Sequence, residues 1–182
     1  MSTTKWALDP THSELGFKIK HLMISNVSGS FKNFQIDVVT TDADFGVAEV
    51  KLTADMNSIN TNNEQRDQHL RNADFFETEK YPDLKFHSSK IEKLKDGVYL
   101  LSGDLTLKGV TRQEKLNLEF NGTTKDPWGN ERAGFLVTGK INRNDYGIHF
   151  NSVMETGGLM LGEEVKIHAE IELVKEVAAV AA

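Results

Sequence analysis

The sequence predicts an all-β protein built as an eight-stranded antiparallel barrel with one helical insertion. Apolar and polar residues alternate with period two repeatedly between Leu15 and Leu173, and this period places successive side chains on opposite faces of a strand. About eight such segments follow one another through short turn signals, a pattern typical of up-and-down barrels. An apolar sheet face has to be buried, and no other segment is large enough to cover it. We therefore expect the sheet to close on itself.

The N-terminal part of the chain is predicted to contain three strands. The first is expected at Glu14–His21, where apolar residues alternate with charged residues and glycine. Residues 28–30 are interpreted as a turn, and the next strand has its apolar residues in phase over 34–38. A second turn is expected at 42–46, followed by a strand whose apolar face lies over 50–56.

A change of period predicts a helical insertion over about residues 61–77. Thr61 and Glu64 have the spacing of a capping box, in which the hydroxyl accepts a first-turn N–H and the carboxylate reaches back. Asp67 and Arg71 are four residues apart with the acid first, which predicts an ion pair on the exposed face of the helix.

The C-terminal part is predicted to complete the barrel. Strands are expected around 84–86, 98–107, 116–120, 133–141 and 165–173. Turn signals lie at 95–97, 108–109 and 126–130, and the segment 142–162 is irregular and glycine-rich. We expect a single domain over residues 1–175 and a tail without function over 176–182.

Composition narrows the classes of function. The chain has 182 residues and a net charge of −6, which gives no electrostatic footprint for nucleic acid and disfavours anionic membrane surfaces. It contains no cysteine, which excludes disulfides, thiolate catalysis and cysteine-ligated zinc. The first nine residues do not read as a signal peptide, and no stretch reaches the length of a membrane span. We therefore expect a cytoplasmic protein without membrane insertion, and the sequence leaves open whether it forms a homodimer.

Small residues in the apolar phase favour a cavity inside the barrel. Ala54, Ala133, Gly139 and Ala169 are all expected to face inward and to leave volume unfilled, and an apolar void accepts apolar ligands. The alternative is a solid core in which phenylalanines fill this space. The phenylalanines in question are Phe17, Phe34, Phe86, Phe120 and Phe135.

No arrangement of residues predicts catalysis or metal binding. His87 and His168 fall in the polar phase of their strands, and no metal-binding spacing of histidines occurs. The chain has no nucleophile-elbow motif. We expect His12 and Ser13 to bond the backbone at the barrel rim rather than to form a catalytic pair.

Three polar residues are candidates for contact with a ligand. His21 shares the inward phase of its strand, so it either contacts a ligand head group or is a core histidine that hydrogen-bonds to a neighbouring residue. Arg66 shares a helical face with Leu70, which suits either a phosphate or carbonyl head group or an ion pair with a carboxylate. For Arg143 we expect a structural corner that it forms with Asp145.

Motifs along the chain together resemble one family. The opening motif is Asp9-x-x-His12-Ser13 followed by Phe17 and His21. The central signature comprises Ser58-Ile59-Asn60-Thr61, Arg66-Asp67-x-His69-Leu70, Asp74-Phe75-Phe76, and Tyr81-Pro82 with Phe86. The later motifs are Gly103-Asp104-Leu105-Thr106-Leu107-x-Gly109-Val110-Thr111 and Asn142-Arg143-x-Asp145-Tyr146-Gly147. From Trp6 to about Leu173, the chain resembles the YceI-like family of lipocalin-like polyisoprenoid-binding proteins.

This resemblance implies a lipocalin-like barrel whose elongated apolar pocket holds a long-chain isoprenoid or related lipid. Family members are often periplasmic. We expect this chain to bind, sequester or transport a polyprenyl chain, a prenyl quinone or a similar lipid, with no other cofactor. The alternative is an enzyme that modifies a prenyl or fatty-acid-derived lipid in the same pocket. The expected ligand contacts are Phe17, Ile19, His21, Phe34, Ile36, Leu52, Ala54, Arg66, Leu70, Phe86, Phe135, Val137 and Ala169.

Overall fold

The structure is a computed structural model that describes residues 2–42, 44–151 and 160–177. Its strands are β1 (Thr3–Leu8), β2 (Glu14–His21), β3 (Ser25–Phe31), β4 (Phe34–Thr41), β5 (Asp44–Asp55), β6 (Ile59–Asn60), β7 (Asp83–Lys95), β8 (Val98–Leu107), β9 (Val110–Lys125), β10 (Glu131–Asn142) and β11 (Leu161–Lys175). One α-helix, α1 (Glu64–Arg71), follows β6, and 3₁₀ turns occur at Pro10–His12, Met56–Ser58 and Arg143–Tyr146. Residues 178–182 of the predicted tail lie outside the described residues.

The strands form one closed antiparallel barrel, as the sequence predicts. β1 and β2 pair with successive parts of β11, so they act as one bent strand. β3 and β4 likewise continue one another, as do β5 and β6, because β3 pairs with β2 and β6 while β4 pairs with β1 and β5. These three bent strands and β7 to β11 make eight, and the pairing of β11 with β1 and β2 closes the ring.

Several predicted strands agree with the structure, and the main differences lie near the N-terminus. β2 and β8 have the predicted bounds. β1 was not expected, because only Trp6 in this short segment is buried and the alternation is weak. The turn predicted at 28–30 is wrong: these residues belong to β3, and the chain reverses at Leu22 and Met23 instead. The turn predicted at 42–46 is shorter than expected, because β5 already begins at Asp44.

The helix begins with a different cap from the one predicted. Its N-cap is Asn63, whose side chain accepts a 3.0 Å hydrogen bond from the backbone N–H of Arg66. The hydroxyl of Thr61 instead donates to the buried carboxylate of Asp67 at 2.6 Å. Thr61 is therefore a partner of the helix side chains rather than its cap.

The ion pair on the helix surface also differs from the prediction. Arg71 contacts the carboxylate of Glu64 at 2.9 Å, whereas Asp67 is buried and bonded to Thr61. α1 ends at Arg71, and turns rather than helix follow up to residue 76. The helical insertion is therefore shorter than the 61–77 expected from sequence.

Aromatic side chains fill one end of the barrel. The ring centroid of Phe45 lies 5.0 Å from that of Trp6, 5.3 Å from that of Phe120 and 4.9 Å from that of Phe135. At these separations the rings pack favourably as well as burying area. The expectation that phenylalanines fill the interior therefore holds at this end, where β9 finishes and β10 begins.

None of the helices in the described part of the chain has the length and apolar character that a membrane span requires.

Candidate functional site

The barrel encloses an apolar cavity of about 590 Å³. This volume lies within the range of roughly 300–1,000 Å³ that is usual for small-molecule sites. A second, smaller cavity of about 70 Å³ lies toward the aromatic end. The cavity predicted from the small inward-facing residues is therefore present.

Most of the predicted contact residues line the large cavity. They are Phe17, Ile19, His21, Ile36, Leu52, Arg66, Leu70, Phe86, Val137 and Ala169. They come from β2, β4, β5, α1, β7, β10 and β11, so the cavity wall is built by strands from around the barrel. That these residues contact a ligand stays a prediction.

Phe34, Ala54 and Phe135 do not line the large cavity. Phe34 and Ala54 face each other across β4 and β5, so the aromatic ring occupies the space beside the small residue, and Ala54 is fully buried. Phe135 stacks on Phe120 in the aromatic cluster and lines only the smaller cavity. For these positions, the inward phase led to burial in the core and not to the wall of the main cavity.

The small residues predicted to create the cavity contribute unequally. Ala169 lines it. Ala133 is buried but lines neither of the two cavities described. Gly139 leaves no open volume, because the Leu116 side chain from β9 lies where a Cβ on Gly139 would project. Neighbouring side chains thus fill part of the volume expected to be empty.

Among the described residues, those with polar side chains line the cavity at one end. They are His21, Thr61, Arg66, His69, Glu114 and Arg143. This is the end where β2 and β10 finish and β9 and β11 begin, because adjacent strands are antiparallel. We call it the helix end, since α1 supplies two of these side chains. A lipid with one polar terminus fits this distribution of groups.

Arg66 is held by Thr61. Its Nε donates to the Thr61 hydroxyl at 2.7 Å and its Nη2 donates to the Thr61 carbonyl at 2.6 Å. The same hydroxyl donates to Asp67, so Thr61 links the two side chains. No carboxylate among the described residues forms an ion pair with Arg66, and the ion-pair alternative considered from sequence has no support there.

Glu114 is a cavity-lining carboxylate that the sequence analysis missed. It shares the inward phase of Leu116 and Leu118 on β9, and that alternation was the signal that could have found it. Glu114 accepts a 2.7 Å hydrogen bond from the hydroxyl of Tyr146, which has no exposed surface. Burial, together with this carboxylate, raises the pKa of Tyr146 well above its ordinary value, so the phenol stays a donor.

Arg143 forms a structural corner, as predicted, but not with Asp145. Its guanidinium donates to the backbone carbonyls of Ile148 and Phe150, which follow β10, and to that of Gly162 in β11, at 2.8–3.0 Å. Burial lowers the pKa of Arg143. Asp145 instead lies 4.0 Å from Arg112, so the predicted pairing of Arg143 with Asp145 is wrong.

Two histidines at the helix end differ in how they are held. His69, which was not among the predicted ligand contacts, lies 2.9 Å from the carboxylate of Asp74 and packs edge-on against Phe75 and Phe150. The imidazole of His21 lines the cavity and forms no hydrogen bond within the described residues. His21 is therefore not a histidine satisfied by a protein neighbour, which leaves its ring nitrogens available to a ligand.

A cluster of charges lies at the opposite rim. Arg132 contacts Asp9 at 2.6 Å, Asp126 at 2.8 Å and Glu172 at 2.8 Å. The Arg132 hydrogen bond lowers the pKa of Asp126 to about 2. Although Asp9, His12 and Glu172 lie close enough to share a cation, the guanidinium already supplies the positive charge there. This cluster therefore fits a structural role.

His12 and Ser13 behave differently from each other at this rim. Ser13 bonds the backbone of Glu172, accepting from its N–H at 3.0 Å, as predicted. The side chain of His12 does not bond the backbone; its Nδ1 lies 2.8 Å from the Asp9 carboxylate. That hydrogen bond raises the pKa of His12. Burial opposes ionisation of Asp9, but hydrogen bonds from His12, Thr11 and Arg132 outweigh it and lower the pKa of Asp9.

The fold and the site together define the class of this protein. It is a closed antiparallel β-barrel whose internal cavity has apolar walls along the strands and polar side chains at the helix end. The YceI-like domain matches residues 6–173. This chain belongs to the YceI-like family.

Relatives of this chain cover nearly its whole length. It is 44% identical over 170 residues to UPF0312 protein SA2479 of Staphylococcus aureus strain N315, covering 93% of this chain and 96% of the relative. The crystal structure of the Campylobacter jejuni YCEI protein is 34% identical with a TM-score of 0.76, covering 93% and 97% of the two chains. A polyisoprenoid binding domain from Saccharophagus degradans is 21% identical with a TM-score of 0.65, covering 94% and 98%, and it shares the fold.

Proposed function

We propose that this protein binds a long-chain polyisoprenoid or a similar apolar lipid inside the barrel, and that it sequesters or carries this lipid without changing it chemically. The observation that carries the proposal is the cavity of about 590 Å³, whose polar lining lies at the helix end in the part of the chain that the structure describes. A ligand that fills such a space gains free energy in proportion to the apolar area it removes from water.

The chemistry of the ligand follows from the two parts of the wall. Aliphatic and aromatic side chains of the strands suit a hydrocarbon chain, and Leu70 and Phe76 continue this surface at the helix. Arg66 and His21 at the helix end suit a polar terminus, for example a phosphate, a quinone carbonyl or a hydroxyl. The polyisoprenoid binding domain of S. degradans, which has the same fold, gives a precedent for isoprenoids among such barrels.

The decisive experiment identifies what the purified protein carries. An organic extract of the protein is analysed by mass spectrometry beside an extract of Ala169→Phe, in which the aromatic ring occupies the cavity. We expect a prenyl lipid or another long-chain lipid in the first extract and a large reduction in the second. The absence of any lipid, combined with failure of added prenyl alcohols to bind, would overturn the proposal.

A turnover assay separates binding from catalysis. A radiolabelled prenyl diphosphate is incubated with the protein and then recovered. We expect it to be unchanged, because the candidate acid–base group at the helix end, His69 with Asp74, faces no activated nucleophile among the described residues. Release of a labelled product that is lost in His69→Gln would favour the enzyme instead.

A further inference from the structure

The hairpin between β2 and β3 ends in exposed apolar side chains. Met23 is 54% exposed and Ile24 is 86% exposed, at positions where a soluble hairpin usually has polar residues. Met160, 37% exposed, lies beside them, because the N–H of Leu22 donates a 2.8 Å hydrogen bond to its carbonyl. We call Leu22, Met23, Ile24 and Met160 the apolar tip.

The backbone of the apolar tip is strained as well as exposed. Leu22 and Met23 have φ of 52° and 62°, and Ile24 donates to the carbonyl of His21 at 3.2 Å. A two-residue turn with both φ values positive strongly favours Asn-Gly, since bulky side chains are disfavoured there. Large apolar residues therefore occupy this turn at a cost in stability that burial offsets only in part, because Met23 is about half exposed and Ile24 is almost fully exposed.

The apolar tip is continuous with the cavity lining through Met160, and we call this point of the wall the cavity entrance. Met160 lines the cavity and is also exposed, and its neighbour Leu161 lines it opposite His21. A lipid that leaves the helix end of the cavity near Met160 therefore meets the apolar tip before it meets water.

Contrary to the expectation from the sequence that the protein does not insert into membranes, we propose that the apolar tip inserts into a lipid bilayer and so positions the cavity entrance at the membrane surface for exchange of the bound lipid. This proposal rests on the proposed function, because a long-chain lipid is so poorly soluble that it has to come from a bilayer. The charges beside the tip are mixed, with Lys18 and Lys20 on β2 and Glu163 and Glu164 on β11. Because the net charge is also −6, insertion of the apolar side chains, and not attraction to anionic lipid, provides the binding energy.

The first experiment is flotation of the full chain with phosphatidylcholine vesicles. We expect the wild-type protein to bind them, with little change at high salt, because electrostatic attraction would be screened. Met23→Gly with Ile24→Ser should reduce the partition coefficient about tenfold or more. Glycine is favoured at the positive φ of Met23, so this variant keeps or gains thermal stability. Equal partition of variant and wild type would overturn the proposal.

A matched control uses an apolar residue at the other end of the barrel. Trp128 is 80% exposed in the turn between β9 and β10. Trp128→Ser should leave vesicle binding unchanged. Because the chain has no cysteine, an environment-sensitive dye can be attached to Ile24→Cys or Trp128→Cys alone. We expect a blue shift with vesicles only at position 24; a shift at neither position, or at 128, would contradict bilayer docking by the tip.

Two further measurements distinguish bilayer docking from a failure of the proposed function and from dimerisation of the chain. Binding of a prenyl alcohol delivered in detergent should be equal in the wild type and in the tip variant. If the wild-type protein does not bind the alcohol, that result disproves the proposed function and does not by itself test the docking. Sedimentation without lipid tests whether the tip instead contacts a second copy of the chain. A dimer that dissociates on Met23→Gly with Ile24→Ser would overturn the bilayer proposal.

Discussion

Thr61 accepts both hydrogen bonds that the guanidinium of Arg66 makes, one at its hydroxyl from Nε at 2.7 Å and one at its carbonyl from Nη2 at 2.6 Å. The guanidinium is thus oriented by the segment that precedes the helix and not by a carboxylate. Its Nη1 forms no hydrogen bond to the described residues. A positive charge with a free donor therefore lies at the helix end of an apolar cavity, where an anionic or carbonyl head group would be recognised.

The first prediction is that Arg66→Ala weakens binding of a prenyl diphosphate by about tenfold or more, because a hydrogen bond to a charged group contributes about 1.5–3 kcal/mol. Binding of the matching prenyl alcohol should weaken much less, since the alcohol has no anion. Titration calorimetry with both ligands measures the ratio.

Arg71→Ala is the control for this prediction. Arg71 lies on the same helix but pairs with Glu64 and does not line the cavity. We expect it to leave both affinities unchanged. Equal losses for alcohol and diphosphate in Arg66→Ala would assign Arg66 a structural role at the Thr61 segment.

The sequence contained enough information to predict the barrel, but not enough to predict the hydrogen bonds at its helix end. Alternation in the second half of β8, and in β11 from Val165 onward, indicates which side chains face inward, because a strand has a two-residue period whatever its neighbours are. The helix cap was predicted wrongly because Thr61 and Asn63 both suit a cap. Only the tertiary hydrogen bonds of Thr61 to Asp67 and Arg66 decide between them.

The cavity lining, too, could be predicted from the sequence only in part, because the strand pattern gives the direction of a side chain and not how its neighbours pack. Alternation predicted that Gly139 and Ala169 face inward, but whether an inward-facing small residue leaves a void depends on the side chain opposite. Leu116 occupies the space at Gly139, whereas the space at Ala169 stays open. Glu114 was missed for a different reason: a carboxylate in the inward phase of an apolar strand is unexpected unless a buried donor such as Tyr146 is known.

The second prediction is that Ala169→Phe abolishes lipid binding with little loss of stability, because the ring enters the open cavity. Ala133→Phe is the matched control, since Ala133 is buried but lines neither cavity described. It should destabilise the fold by about 1–3 kcal/mol, as overpacking does. Urea unfolding and lipid binding are measured on both variants. A large loss of stability in Ala169→Phe with binding intact would contradict the assigned cavity wall.

The third prediction concerns the hydrogen bond at the helix end between Tyr146, which is buried, and Glu114, which is partly exposed. Tyr146→Phe removes the donor of the 2.7 Å hydrogen bond to Glu114 and leaves that carboxylate on an apolar wall. We expect the free energy of unfolding to fall by about 1–3 kcal/mol. Glu114→Gln keeps an acceptor for the phenol and should cost less. If Tyr146→Phe and the wild type unfold at the same urea concentration, the pair does not stabilise the fold.

The fourth prediction is a loss of stability at alkaline pH that depends on His12. Its hydrogen bond with Asp9 raises the pKa of His12 above the ordinary value of 6.5, so the folded protein holds this proton more tightly than the unfolded chain does. The stabilisation is therefore complete below about pH 6.5 and is lost as the pH rises through the folded-state pKa. In His12→Gln, which cannot titrate, this pH dependence should disappear.

Urea unfolding of both proteins at about pH 5.5 and about pH 8.5 checks this prediction, since the two values bracket the titration of a histidine. The wild type should be more stable than His12→Gln at the lower pH, and the difference should shrink at the higher pH. Asp9 acts in the opposite direction: its lowered pKa means that its contribution is present above about pH 4 and is lost only as the pH falls further. A difference between the two proteins that grows toward pH 8.5 would show that His12 is stabilised as the neutral imidazole, and the assigned ion pair at the rim would be wrong.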